Sequence, residues 1–199
     1  MGKEEWFMDN LIRLLVGIVF FVVLVLGFKM AIKKAGRGKI TDRKGLTRMR
    51  TILVACIAPM IVLFLVSPQD TPVTLKISLP DWMKLIGLVF FIAGMSLRMW
   101  SQVVLGTYWS ADLSLKTEHK LIQGGPYKYV RHPIYSSYIL VAPSLFLLTE
   151  NWMLGLLAII FVLVSIARIP AEENMLKKHF GDLYSKYIIT TGAVFPRFC

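Results

Sequence analysis

Charge is scarce in this chain, and negative charge is scarcest. Only 18% of the 199 residues are charged, with 12 Asp and Glu against 23 Lys and Arg. An ordinary soluble domain carries about 25% charged residues, so a surface facing water all round is not expected. Cysteine is nearly absent. Cys56 lies inside an apolar stretch and Cys199 ends the sequence, so no disulfide is expected, and no Cys/His spacing resembles a metal site. There is no Walker loop, no G-x-G-x-x-G and no G-x-S-x-G, which leaves P-loop, dinucleotide-fold and hydrolase readings without their motifs. Internal repeats and low-complexity segments are missing too. So is the basic region ahead of a short apolar core that marks a cleavable signal, and the first apolar stretch is expected to stay as a membrane helix.

What the chain has in quantity is apolar residues, 56% of the total. They fall into five stretches, at about 11–32, 51–67, 82–105, 133–149 and 152–169. Each is near the ~20 residues that cross a bilayer, the last two slightly short. A buried helix of a soluble protein explains any one of them, but five in one chain point to an all-α integral membrane protein. The expectation is a single domain over 1–199 with five transmembrane helices, its catalytic region at about 106–199. Basic residues set the orientation. Residues 33–50 hold eight Lys or Arg and one Asp, whereas 68–81 hold one Lys and two Asp. The connection at 106–131 and the tail after Ile169 are net positive. Positive loops stay in the cytoplasm, so the N-terminus is expected outside and the C-terminus inside. The net charge of +11 is then a topology and headgroup signal, and nucleic acid is not an expected partner.

Polar chemistry is concentrated in one segment, Tyr127-Lys-Tyr-Val-Arg131-His132-Pro133-Ile-Tyr135, behind a Gly124-Gly125-Pro126 turn. One explanation is an interfacial belt of tyrosines and cations. The other is a site, because polar groups at the mouth of a span are costly unless they serve something. The last two stretches are joined by Glu150-Asn151 alone, so they must form an antiparallel hairpin. That brings Arg168-Ile-Pro170-Ala-Glu172-Glu173 to the same membrane face as Tyr127–Tyr135. Pro170 marks a kink or a new first turn, where the helix dipole favours carboxylates. This alone accounts for the acidic pair, and snorkelling alone accounts for Arg168. Beyond Glu173 the apolar spacing reads as an amphipathic surface segment broken near Gly181. His119 fits a solvated loop as well as a site. Arg98, two turns inside the third stretch, is either snorkelling or functional. The pieces make a pocket with both charge signs, aromatics and an apolar flank, without naming its ligand.

The set His119-x-Leu121-Ile122, Gly125-x-Tyr127, Arg131-His132-Pro133-x-Tyr135, then Arg168-x-x-x-Glu172-Glu173 and Phe180-Gly181-x-x-Tyr184-x-x-Tyr187 resembles the isoprenylcysteine carboxyl methyltransferase family, most closely its compact five-helix prokaryotic members. The resemblance covers about residues 117–198. The Arg-His-Pro-x-Tyr piece by itself is shared with phospholipid methyltransferases and sterol reductases. The resemblance implies S-adenosylmethionine as cofactor, held by His119, Lys120, Leu121, Ile122, Tyr127, His132, Pro133, Tyr135 and Glu172. It implies Arg168 as the catalytic residue meeting the carboxylate of a prenylated cysteine or similar lipidic acid from the bilayer. Glu172 is then expected to pair with the cofactor's ammonium and His132 with its carboxylate, or the reverse. Ser137 stands where many members have glycine, and Asp112 near a position where some have glutamine. A phospholipid amine methyltransferase is the alternative, with Glu173 as the base such an acceptor would need. A nicotinamide-dependent reductase and a non-enzymatic membrane scaffold are further readings.

Overall fold

The computed structural model describes residues 77–106 and 120–197, together with Leu11 and Ile18. Within these, helix α1 runs Asp81–Leu105, α2 Pro133–Thr149, α3 Trp152–Ile166, α4 Ile169–Phe180 and α5 Asp182–Thr190. A 3₁₀ turn at Gly125–Lys128 leads into α2. One isolated parallel bridge joins Val130 to Gly192. The expected spans at 11–32 and 51–67 lie outside the described residues, apart from Leu11 and Ile18. His119 and Asp112 lie outside them as well.

Each boundary has a local cause. Pro133 opens α2, where its fixed φ suits a first turn and its missing N–H costs nothing. The Asn151 side chain caps α3, accepting from the Met153 and Leu154 amides at 3.0 and 3.2 Å. Between them Glu150 takes a left-handed conformation, φ 54°. Its buried side chain accepts from the Leu79 amide at 3.1 Å and approaches Lys84 at 3.7 Å. The two-residue hairpin is thereby tied to the start of α1. The fifth apolar stretch does not run unbroken to Ile169. It ends as α3 at Ile166, turns through Ala167 and Arg168, and restarts as α4 with Pro170 in its first turn.

Helices α1 and α2 approach closely because small residues line their seam. Gly87, Gly94 and Ser101 recur every seven residues on α1, and buried Ser137 and Ser144 sit on α2. Such seams let backbones touch where no water-driven collapse is available. Ser137 fits into this seam. It is fully buried and its hydroxyl donates back to the Ile134 carbonyl at 2.6 Å. A Cβ on Gly94 would lie 2.7 Å from Val141 Cγ2 and 3.1 Å from the Ser137 carbonyl oxygen. Gly94→Ala is therefore expected to destabilise the protein by about 1–3 kcal/mol, read as a lower unfolding temperature in detergent. An unchanged midpoint would show that the seam has slack.

Around this seam Phe91, Met95, Val141, Leu145, Leu154 and Ala158 form the core. The outward faces are as apolar as the core. Leu85, Ile92, Leu156 and Leu163 are all exposed, Leu163 by 61%. So large an exposed apolar surface belongs in lipid. Two helical runs, Asp81–Leu105 and Trp152–Phe180, are long and apolar enough to cross a bilayer, and Pro133–Thr149 is shorter. In the second run the apolar part is α3.

Candidate active site at the α2 entry

The hairpin brings the N-terminal end of α2 against α4, as the two-residue connection requires. His132 caps α2 and is buried, with its two ring nitrogens facing two carboxylates. Nδ1 lies 3.4 Å from Glu172 Oε2 and Nε2 lies 3.3 Å from Glu173 Oε1. The Tyr135 hydroxyl, one turn into α2, donates to Glu172 Oε1 at 2.8 Å. Arg131 takes Glu173 through Nε at 2.9 Å and a terminal nitrogen at 2.8 Å. Adjacent acids on α4 are thus divided between partners. Glu173 is bound by Arg131 and His132. Glu172 is bound by Tyr135 and His132, and its side chain keeps 23% of its surface exposed.

The chain's last described segment holds this arrangement from behind. The Arg131 and His132 amides donate to the carbonyls of Gly192 and Ala193 at 2.8 and 2.9 Å. Ser136 donates to the Val194 carbonyl at 2.6 Å, and Arg131 donates to the Ile188 and Thr191 carbonyls. The Tyr187 hydroxyl donates to the Tyr127 carbonyl, so α5 locks the 3₁₀ turn. Gly192 cannot carry a side chain here, since a Cβ would overlap the Phe195 carbonyl oxygen.

Electrostatics follow from the partners. Burial lowers the His132 pKa, but hydrogen bonds to Glu172 and Glu173 and their charges outweigh it, and the net shift is upward from 6.5. Glu173 is drawn down to about 2, first by its hydrogen bond with His132, against an opposing effect of burial and with help from Arg131. Burial, with nearby Tyr187 and Glu172, raises the Tyr127 hydroxyl pKa well above its usual value. The signs define a pH window. The His132 contribution is complete below pH 6.5 and is lost as pH rises through the raised folded value. The Glu173 contribution is complete above 4.5 and is lost as pH falls towards about 2. The stability difference between the parent and His132→Gln is therefore expected to peak between about pH 4.5 and 6.5 and to shrink on both sides. Unfolding midpoints across that range test it, and a flat difference contradicts the ion pairing.

Among the sequence-predicted site residues, Tyr127, His132, Pro133, Tyr135, Arg168 and Glu172 come together. Arg168 is buried at the start of α4 and lies within electrostatic reach of Tyr135. Lys120, Leu121 and Ile122 run as coil towards the Gly124 turn, with Lys120 exposed and the other two half-buried. No hydrogen bond among the described residues joins them to the cluster. Sequence reasoning left Arg131 and Glu173 off the cofactor set, although both sit in the motif. It also missed Tyr138, whose i,i+3 spacing from Tyr135 was the available signal. Tyr138 packs edge-on against Phe161 at 5.1 Å. Beyond that pair an apolar cavity of about 490 Å³ lies between α2 and α3, lined by Ile139, Ala142, Phe146, Ile159, Val162 and Leu163 among others. Among the described residues no group of three or more His, Cys, Asp or Glu is placed to hold a metal.

Residues 85–178 match the model of the isoprenylcysteine carboxyl methyltransferase (ICMT) family. Over 109 residues the chain is 30% identical to protein-S-isoprenylcysteine O-methyltransferase B of Arabidopsis thaliana, covering 53% of this chain and 55% of that protein. It is 34% identical over 106 residues to a probable protein-S-isoprenylcysteine O-methyltransferase of Oryza sativa subsp. indica, covering 51% and 55%. The chain thus spans about half the length of the curated relatives it matches. Among solved structures it is similar to the eukaryotic intramembrane Ras methyltransferase ICMT, with a TM-score of 0.53 and 20% identity, covering 79% of this chain and 54% of that one. This last likeness concerns the fold. The resemblance read from the sequence is borne out: the chain is similar in sequence to isoprenylcysteine carboxyl methyltransferases and similar in fold to a membrane protein of that kind.

Proposed function

We propose that this protein is an integral-membrane methyltransferase that uses S-adenosylmethionine to methylate the carboxylate of a prenylated cysteine or a similar lipidic acid. The observation that carries the reading is a partly exposed carboxylate, Glu172, held by Tyr135 and His132 at the entry of α2, with buried Arg168 at the start of α4. The likeness to isoprenylcysteine carboxyl methyltransferases supports this reading. The proposed topology has five spans and an external N-terminus, with the C-terminus and the site on the cytoplasmic side, which the positive loops support.

The residues fit the cofactor chemically. Its amino-acid end carries an ammonium and a carboxylate, and the cluster offers a carboxylate and cations side by side. When bound, S-adenosylmethionine would supply an electrophilic methyl group on a sulfonium, with the neutral thioether as leaving group and the acceptor's carboxylate oxygen as nucleophile. A carboxylate is already ionised at neutral pH, so no base is required. The chain's task is orientation and exclusion of water. Glu172 is the group for the ammonium. His132, held between two carboxylates, keeps Glu172 aimed as a positioning residue. The faces of Tyr127 and Tyr135 offer cation–π stabilisation, worth about 0.5–2 kcal/mol. Lys120, Leu121 and Ile122, with His119, are the proposed contacts for the remainder of the cofactor. Arg168 presents a planar fork to the acceptor, and the cavity between α2 and α3 suits the lipid chain.

An amine acceptor has to lose a proton to a base. Glu173, the candidate, has a pKa of about 2 and is bound by Arg131 and His132, which makes it a poor base. The test is methyl transfer from labelled S-adenosylmethionine, in detergent, to N-acetyl-S-farnesylcysteine and separately to phosphatidylethanolamine. Transfer to the acid is expected. Transfer to the amine alone would overturn the carboxylate reading.

A further inference from the structure

Arg98 is the group this mechanism leaves unused. It lies on α1, seven residues before its end at Leu105, so roughly 10 Å below that end. Only 7% of it is exposed. One guanidinium nitrogen donates to the Tyr138 hydroxyl at 2.7 Å, and the guanidinium carbon stands 5.2 Å from that ring's centre. Nε has no hydrogen-bond partner among the described residues. One turn on, Gln102 is 3% exposed, and neither its amide nitrogen nor its amide oxygen has a partner among the described residues. Arg98 makes no ion pair with any Asp or Glu among the described residues. Snorkelling does not describe a guanidinium turned inward onto another helix. Burying a cation without a counter-charge costs several kcal/mol, and two adjacent buried polar side chains left open add to that. Such an arrangement is complete only with an anion in it.

Location says which anion. Tyr138 lies one turn deeper on α2 than Tyr135, on the same face, and packs on Phe161 beside the apolar cavity. Through Tyr138, Arg98 therefore stands beside Tyr135, on the membrane side of the Glu172–His132 cluster. We propose that Arg98, with Gln102, forms a carboxylate-capturing subsite that receives the lipidic acceptor's carboxylate as it comes from the bilayer, before Arg168 aligns it for transfer. The inference rests on the carboxyl methyltransferase reading and assigns it a second acceptor-binding residue. A flat guanidinium gives a carboxylate two parallel hydrogen bonds, and the Gln102 amide is placed to add a neutral one. Capture acts on acceptor affinity, and alignment acts on turnover, so the two arginines separate kinetically.

The experiment uses full-length protein in detergent, N-acetyl-S-farnesylcysteine as acceptor, its uncharged carboxamide as competitor and S-adenosylhomocysteine as cofactor probe. Arg98→Gln is expected to raise the acceptor KM tenfold or more. The carboxamide inhibition constant and the S-adenosylhomocysteine Kd should each stay within twofold, and kcat should fall less than KM rises. Arg98→Lys, which keeps the charge and serves if the first variant folds poorly, should fall between the two with the same unchanged probes. An unaltered acceptor KM overturns the subsite. Parallel weakening of acid and carboxamide overturns it in favour of a packing role. Weakening of S-adenosylhomocysteine alone overturns it in favour of the cofactor's own carboxylate. All of these leave the methyltransferase reading standing. Failure of the parent to methylate the acid removes that reading and the subsite together.

Discussion

Glu172→Ala is expected to weaken S-adenosylhomocysteine binding a hundredfold or more, about 2.7 kcal/mol. The figure follows from what the carboxylate holds. It accepts from Tyr135 at 2.8 Å and faces His132 at 3.4 Å, so its removal leaves two buried donors open, at about 1–3 kcal/mol each. It also removes the anion proposed for the ligand's ammonium. Glu172→Gln keeps the shape and can still accept from Tyr135, so it should fold normally and still bind weakly. Calorimetry in detergent checks both. Full affinity in the alanine variant would detach the cofactor from this cluster and refute the assignment.

Arg168→Lys is expected to lower kcat for the farnesylated acid a hundredfold or more with cofactor affinity unchanged. Lysine keeps the charge but loses the two-pronged planar geometry that orients a carboxylate. Misorientation costs turnover rather than binding. Glu172 and His132 remain in place, so S-adenosylhomocysteine should bind as in the parent. If the lysine variant turns over normally, Arg168 supplies only charge and the alignment role is wrong.

Much of the described fold was legible because it rests on local signals. The stretch at 133–149 is the helix Pro133–Thr149, bounded by a proline at one end and a two-residue connection at the other. The break at Gly181 follows from its backbone, φ 54°, which joins α4 to α5. That hairpin geometry also brings Tyr135 and Arg168 to one face. The division of the acidic pair was not legible. Adjacent glutamates on a first turn look equivalent, and only the three-dimensional placement of Arg131 gives Glu173 to the scaffold while Glu172 stays partly exposed. The segment at 191–194 was invisible for a different reason. It binds through backbone amides and carbonyls, which every residue possesses, and side-chain types do not advertise such pairing. The Arg98–Tyr138 contact joins side chains 40 positions apart, and no periodicity within one helix reveals a partner on another.

The bridge from Val130 to Gly192 fixes an order of events during synthesis. Residues 191–194 leave the ribosome after α1, α2 and α3, which the bilayer can already have received. Until they arrive, the Arg131 and His132 amides lack the carbonyls that hold them, and His132 is not yet fixed between its two acids. The apolar bundle can thus precede the fixed His132 cluster. The cluster around His132 is fixed only when these residues dock, so a chain caught earlier lacks the backbone contacts that hold it.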